Sequence, residues 1–281
     1  MGNNTMPKCA CNSCNAIGKY KLPARKRGGG NAYLCEYHWT HDDPYSADNL
    51  LWIGQKKAHG YTASFENETK RPTRKARIEL CINGFRPTSD STVDTEFKSP
   101  CYNGFNALKA ILPSIEDLKN DGDITIDSNC GTHLHIGNRY HINIINMEAI
   151  RRFYHSLYLP LSQAMEANPE KTARIFGRGF GYWAQAIDSS TDATEHTNFI
   201  NTQHPDTIEF RLCKFVTAAQ YSEAVDFCRE IARITVEIFI KKYESIGRPS
   251  RANTTEQQRE ELKKAAQKAA RKMVKTFNEW N

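Results

Sequence analysis

Strand-like and helix-like segments follow one another along the chain in an order that indicates the fold class. Alternating or apolar-rich segments predict strands over 61–69, 77–85, 92–99, 123–127, 131–137, 198–202 and 207–214. Apolar residues at helical spacing predict helices over 106–119, 147–167, 217–243 and 254–280, with distortions at Pro113 and Pro160. The strands come in clusters and do not alternate strictly with helices. This order predicts an α+β fold with a largely antiparallel sheet.

The last predicted helix has clear end signals and one apolar seam. Thr254 or Thr255 is placed to cap its first turn, while lysines and arginines follow in the later turns, as the helix dipole favours. We expect it to pack on the body of the protein through Leu262, Met273 and Phe277.

Composition narrows the class of protein. Of 281 residues, 39% are hydrophobic, which excludes wholesale disorder. No run approaches the roughly 18 apolar residues of a membrane helix, and no apolar secretory signal follows the first basic residue. We therefore expect a cytoplasmic protein that does not associate with a membrane. The net charge of +6 is concentrated at the two ends, which suits either solubility or an anionic partner such as nucleic acid.

Four of the nine cysteines crowd the first 35 residues. Two short pairs, C-x-x-C and C-x-x-H, supply the three thiolates and one imidazole of a tetrahedral structural zinc site: Cys11, Cys14, Cys35 and His38. Cys9 and His41 are possible substitutes in this set. Such a site either stabilises a small unit or also presents basic residues to phosphates. We therefore predict a zinc module over 1–45, followed by a larger domain over 46–250 and a basic helix over 251–281.

Four predicted strands carry charged or imidazole side chains at alternating positions. Alternating positions lie on the same face of a strand. The segments are S-F-E-N-E-T at 64–69, D-S-T-V-D-T-E-F-K-S-P at 90–100, C-G-T-H-L-H-I-G at 130–137 and T-I-E-F-R-L at 207–212. Each pattern alone is also typical of a solvated face or a structural ion pair. Together, their clustered carboxylates with one or two imidazoles suit Mg²⁺ or Mn²⁺ better than zinc, and such sites serve phosphate chemistry.

In order and spacing, these four segments resemble the amidoligase family, a branch of the carboxylate–amine ligases. Ser64 and Asn67 depart from the usual pattern of its first motif. The resemblance implies a glutamine-synthetase-like catalytic fold, in which helices cover a curved antiparallel sheet. It also implies a site that holds ATP and divalent metal ions beside a carboxylate substrate.

The resemblance also implies roles for individual residues. Arg211, His135 and Glu96 match catalytic positions, and Arg211 in particular would contact the transferring phosphoryl group. Loosely matched candidates for contacts with the nucleotide are Arg174, Arg178 and Asn201. The positions that match metal ligands are Glu66, Glu68, Glu96, His133 and Glu209.

These features lead to a ligase hypothesis. The chain is expected to join a carboxylate to an amine, through an acyl-phosphate, at the cost of ATP. The two substrates would be small molecules, peptides or a modified nucleobase, and an oligomer is possible. One alternative is a non-enzymatic zinc protein that binds nucleic acid, which leaves the clustered glutamates without a use. A second is a metal-dependent hydrolase built on His133 and His135, which leaves Glu209 and Arg211 unexplained.

Overall fold

A computed structural model describes most of the chain after residue 60. The described residues are 20–22, 32–34, 61–88, 93–137, 145–193, 195–204, 207–250 and 252–281. The predicted zinc ligands lie outside them, as do the two substitutes, so the zinc module stays a prediction: Cys11, Cys14, Cys35, His38, Cys9 and His41.

Short strands and helices make up the described ranges. The strands are β1 Tyr20–Leu22, β2 Ala32–Leu34, β3 Thr62–Thr69, β4 Arg86–Thr88, β5 Thr95–Lys98, β6 Tyr102–Asn103, β7 Thr132–Gly137, β8 Ile200–Asn201 and β9 Thr207–Phe210. The helices are α1 Arg74–Ile82, α2 Phe105–Lys109, α3 Leu112–Asn120, α4 Met147–Arg152, α5 Tyr154–Glu166, α6 Pro169–Phe176, α7 Ala218–Ile234, α8 Lys241–Ser245 and α9 Glu256–Glu279. A π-helical segment, Thr235–Ile240, joins α7 to α8.

The chain divides into two compact units, and the boundary falls inside β3, after Phe65. In the first unit, β5 pairs antiparallel with β4 on one side and with the second half of β3 on the other. The same unit contains the antiparallel β1–β2 hairpin, α1 and most of α3. Its fully buried apolar side chains include Leu80, Phe85, Phe97 and Ile115.

The second unit contains the remaining strands and most of the helices. Its strand β9 pairs antiparallel with β7 on one side and with β8 on the other, while the first half of β3 pairs with β6. Helix α9 packs against α5, α7 and the π-helical segment. The predicted seam is confirmed, because Leu262, Met273 and Phe277 are fully buried, and Thr255 forms a capping box with Gln258.

The strand predicted at 77–85 is wrong, because this segment is the helix α1. Thr73 caps it by accepting a hydrogen bond from the backbone of Ala76, at 3.2 Å. Ala76 and Leu80, four residues apart, form its buried stripe. The helix ends before Gly84, whose φ of 90° suits glycine.

The strand predicted at 123–127 forms only one isolated antiparallel bridge, between Thr125 and Lys70. The side chain of Asp127 accepts a hydrogen bond from the backbone of Asn129, so the chain turns where a longer strand would continue. The predicted long helices at 106–119 and 147–167 are each split in two.

One expectation about the class of protein, the α+β architecture, is confirmed. The strand pairings within each unit are antiparallel and helices accompany them, as the α+β class requires. The free thiols in the described ranges are buried: Cys81, Cys101, Cys130, Cys213 and Cys228. No helix in those ranges has the length and hydropathy needed to cross a membrane. The glutamine-synthetase-like fold and the predicted domain boundaries stay predictions.

Candidate active site

One group of charged side chains lies on a face shared by β3 and β5 in the first unit. The strand register places Glu68 opposite Glu96 and Glu66 opposite Lys98. Because alternate residues of a strand face the same side, three carboxyl groups and one amine share this face. We call these four residues the carboxylate–lysine group.

Lys98 holds this group together. Its Nζ lies 2.7 Å from Glu66 Oε1 and 2.9 Å from Glu96 Oε1. Burial alone would lower the pKa of Lys98, but the two carboxylates raise it above its ordinary value. Thr88 also donates a hydrogen bond of 3.0 Å to Glu96. On this face, the carboxylates of Glu66 and Glu96 are therefore paired with the ammonium of Lys98.

A second group lies on the three strands β7, β9 and β8 of the second unit. Glu209 on β9 stands directly opposite His135 on β7 and opposite Asn201 on β8. Strand alternation puts His133 and Arg211 on the same face as these residues. We call the set with His204, which lies just before β9, the histidine–glutamate group.

Glu209 is the centre of the histidine–glutamate group and is only 1% exposed. Its Oε1 lies 2.6 Å from a guanidinium nitrogen of Arg211 and 3.4 Å from Nδ1 of His133. Its Oε2 lies 2.6 Å from Nδ2 of Asn201 and 3.3 Å from Nε2 of His204. The buried carboxylate therefore has partners on both of its oxygens.

These contacts keep the carboxylate ionised. Burial by itself would raise the pKa of Glu209, but the hydrogen bond with His204 and electrostatic interactions with neighbouring side chains hold it well below its usual range. Those neighbours are His135, His133 and Arg211. A charged Glu209 therefore persists at neutral pH and balances the buried guanidinium.

The candidates for nucleotide contacts lie in different surroundings. Arg178 donates to the backbone carbonyls of Leu212 and Arg211, at 3.1 and 2.5 Å. Asn201 is fully buried against Glu209. The half-exposed Arg174 instead pairs with Glu223 of α7, at 2.6 Å.

Comparison with protein families identifies the family of this chain. A family model described as "Putative amidoligase enzyme" matches residues 55–232, more than half of the chain. The chain belongs to this amidoligase family. A comparison with curated proteins finds no match. Membership supports an enzyme of the ligase type and the use of a nucleotide and metal ions, and it favours neither alternative considered above.

Sequence reasoning missed three residues of this amidoligase. Lys98 stands two positions after Glu96, so its shared face was readable from strand alternation. His204 precedes a Pro-Asp pair in the sequence, and nothing in that pattern points to chemistry. His196 lies in a loop, with Nε2 3.2 Å from Arg211, and burial and that guanidinium lower its pKa. Because a guanidinium only donates hydrogen bonds, this Nε2 accepts one.

Lys98 and a divalent cation are expected to substitute for one another in the amidoligase. In a chelator, Lys98→Ala should lower the unfolding temperature by about 2–4 °C, since a partly exposed ion pair contributes roughly 1 kcal/mol. Millimolar Mg²⁺ should reduce this loss, because the ion then separates the Glu66 and Glu96 carboxylates. Differential scanning fluorimetry with and without Mg²⁺ measures both effects.

The matched control is Lys75→Ala in the same unit. Lys75 pairs with Asp121 and Asp123, at 3.0 and 2.6 Å, on an exposed surface. Lys75→Ala should lower the unfolding temperature by a similar amount, and Mg²⁺ should not restore it. Equal rescue of both variants, or of neither, would contradict a cation site beside Lys98.

Proposed function

We propose that this chain is an ATP-dependent carboxylate–amine ligase that forms an amide through an acyl-phosphate intermediate. Its membership of the amidoligase family supports the reaction class. The histidine–glutamate group supports the phosphoryl chemistry, because a buried arginine there is held by an ionised glutamate and still has a donor to offer.

The observation that carries this proposal is the guanidinium of Arg211. It is buried, and one of its terminal nitrogens is bonded to Glu209. Its Nε, also buried, has no hydrogen-bond acceptor among the described residues. Buried donors in native proteins are nearly always paired, so this nitrogen suits an oxygen of a ligand. Phosphoryl oxygens, like carboxylate oxygens, accept strong charge-assisted hydrogen bonds from arginine.

Two steps account for amide formation. A carboxylate oxygen of the acid substrate attacks the γ-phosphorus of ATP, the bond to the β,γ-bridging oxygen breaks, and ADP leaves. The amine nitrogen then attacks the carbonyl carbon of the acyl-phosphate, phosphate leaves, and the nitrogen loses a proton. Arg211 would stabilise the negative charge that spreads over the phosphoryl oxygens in the first step.

Magnesium or manganese ions would be held by the residues that match the family's ligands: Glu66, Glu68, Glu96, His133 and Glu209. When bound, such ions neutralise phosphate oxygens and help to orient them. Two observations support the donor set. Oxygens of Glu66 and Glu96 lie within 4.8 Å of each other and already bind the ammonium of Lys98. Carboxylate oxygens are the ligands that hard divalent ions prefer.

Other parts of the hypothesis stay predictions. They are the contacts of Arg174, Arg178 and Asn201 with the nucleotide, the cytoplasmic location, an oligomer and any nucleic acid bound by the basic ends. The family favours small-molecule or peptide substrates.

Mass spectrometry tests the proposed function. The full chain is incubated with ATP, Mg²⁺ and the small-molecule fraction of a cell extract, and condensation products and ADP are sought. With an identified acid carrying heavy oxygen in its carboxylate, we expect one labelled oxygen in the released phosphate. Release of AMP and pyrophosphate would exclude the acyl-phosphate, and no ATP turnover with any acid and amine would overturn the ligase proposal.

A further inference from the structure

The two oxygens of Glu209 face different imidazoles. Oε1 lies on the side of His133 and Arg211. Oε2 lies on the side of His204 and Asn201. The carboxylate therefore has a second coordinating oxygen that the proposed magnesium set does not require.

On this second side, three side chains come together in one unit. His135, His204 and Glu209 each offer one ligand atom, and these atoms lie within 4.8 Å of one another. Two ligands of a zinc-like ion, each about 2.1 Å from it, are about 3.0–3.4 Å apart at ordinary coordination angles. The 3.3 Å between Nε2 of His204 and Oε2 of Glu209 falls in this range.

Neighbouring groups orient these potential ligands. Nδ1 of His135 lies 3.5 Å from the hydroxyl oxygen of Thr207, which points the other ring nitrogen away from that contact. Asn201 donates to Oε2 of Glu209, and its own carbonyl oxygen accepts from the backbone of Gln203, at 2.9 Å, which fixes the orientation of the amide. Hydrogen bonds of this kind commonly position the ligands of metal sites.

His204 is the solvent-exposed member of these three side chains. Its side chain is 50% exposed, whereas His135 and Glu209 are buried. The rings of His135 and His204 meet edge to face, with centroids 5.3 Å apart. An ion held here by three protein ligands would be reachable from solvent and would keep a position for water or a substrate atom.

We propose that His135, His204 and Glu209 form a binding site for a divalent transition-metal ion of the zinc class. Two imidazoles and one carboxylate favour such ions, whereas magnesium prefers oxygen ligands. The contacts described above support this site independently of the proposed function. Only a role of the site in catalysis would rest on the proposed function.

Cobalt(II) titration of the metal-free full chain, in excess Mg²⁺, tests this site. Visible absorption and isothermal titration calorimetry report the binding. Compared with the unsubstituted chain, His204→Ala should bind one cobalt ion fewer, or bind it more than about tenfold more weakly, because a direct ligand is lost. Since His204 is half exposed, the variant should keep its fold, which circular dichroism checks.

The matched control is His155→Ala on α5, a part-buried histidine that meets Tyr154 edge to face and is not a member of the histidine–glutamate group. It should bind cobalt like the unsubstituted chain. The N-terminal cysteines are the same in every variant, so any cobalt that they bind cancels in the comparison. Unchanged cobalt binding in His204→Ala, or displacement of this cobalt ion by Mg²⁺ alone, would overturn the site.

The two proposals fail separately. ATP turnover with Mg²⁺, combined with unchanged cobalt binding in His204→Ala, would remove the metal site and leave the ligase proposal standing. Selective loss of cobalt in His204→Ala, without ATP turnover for any acid and amine, would support the metal site and remove the ligase proposal.

Discussion

Glu209→Gln is expected to lower the rate of ATP-dependent amide formation by at least about 100-fold. The change removes the charge that holds Arg211 and faces the imidazoles of His133 and His204, while it keeps nearly the same side-chain volume. Phosphoryl transfer depends on prearranged charges, so their loss acts on the chemical step. The release of ADP in the presence of both substrates measures the effect, and His133→Ala should be similarly impaired.

The control for this prediction is Glu195→Gln, the same chemical change at an exposed position. It should retain full activity. Thermal unfolding separates a lost reaction from a lost fold, because glutamine leaves the buried Arg211 without an ionised partner and some loss of stability is expected. A folded Glu209→Gln protein with full activity would remove the histidine–glutamate group from the mechanism.

Met273→Asp is expected to destabilise the second unit by more than about 4 kcal/mol, which is enough to unfold many domains. Met273 is fully buried in the seam of α9, together with Leu262 and Phe277. A carboxylate there would lose its hydration among apolar side chains. Urea denaturation followed by circular dichroism measures the free energy of unfolding.

Lys268→Asp provides the comparison on the exposed side of the same helix. It also introduces an aspartate. The low helix propensity and the changed charge of this residue should lower the free energy of unfolding by less than about 1 kcal/mol. Similar losses in the two variants would show that α9 is not held by its buried seam.

Two of the three missed residues, His204 and His196, differ in a physical way from the positions that the sequence pattern identified. The identified positions belong to strands, where alternation fixes which side chains share a face. They are Glu66, Glu96, His133, His135 and Glu209. His204 and His196 belong to loops, whose paths follow no such period. The segment 77–85 predicts a strand, whereas the helix α1 forms there, because the cap at Thr73 and the buried Ala76 lie upstream of that segment and start the helix.

Local rules acting on the amino-acid order alone were enough to assign this protein to the α+β class, to locate the capped and amphipathic α9 and to pick out the polar faces of its strands. They did not specify which strands become neighbours. Only the tertiary structure placed Glu209 between His135 and Asn201 and brought His204 and Lys98 to their carboxylates. The reason is that periodicity is set by the backbone within a few residues, whereas strand pairing and register depend on contacts between residues far apart in the chain.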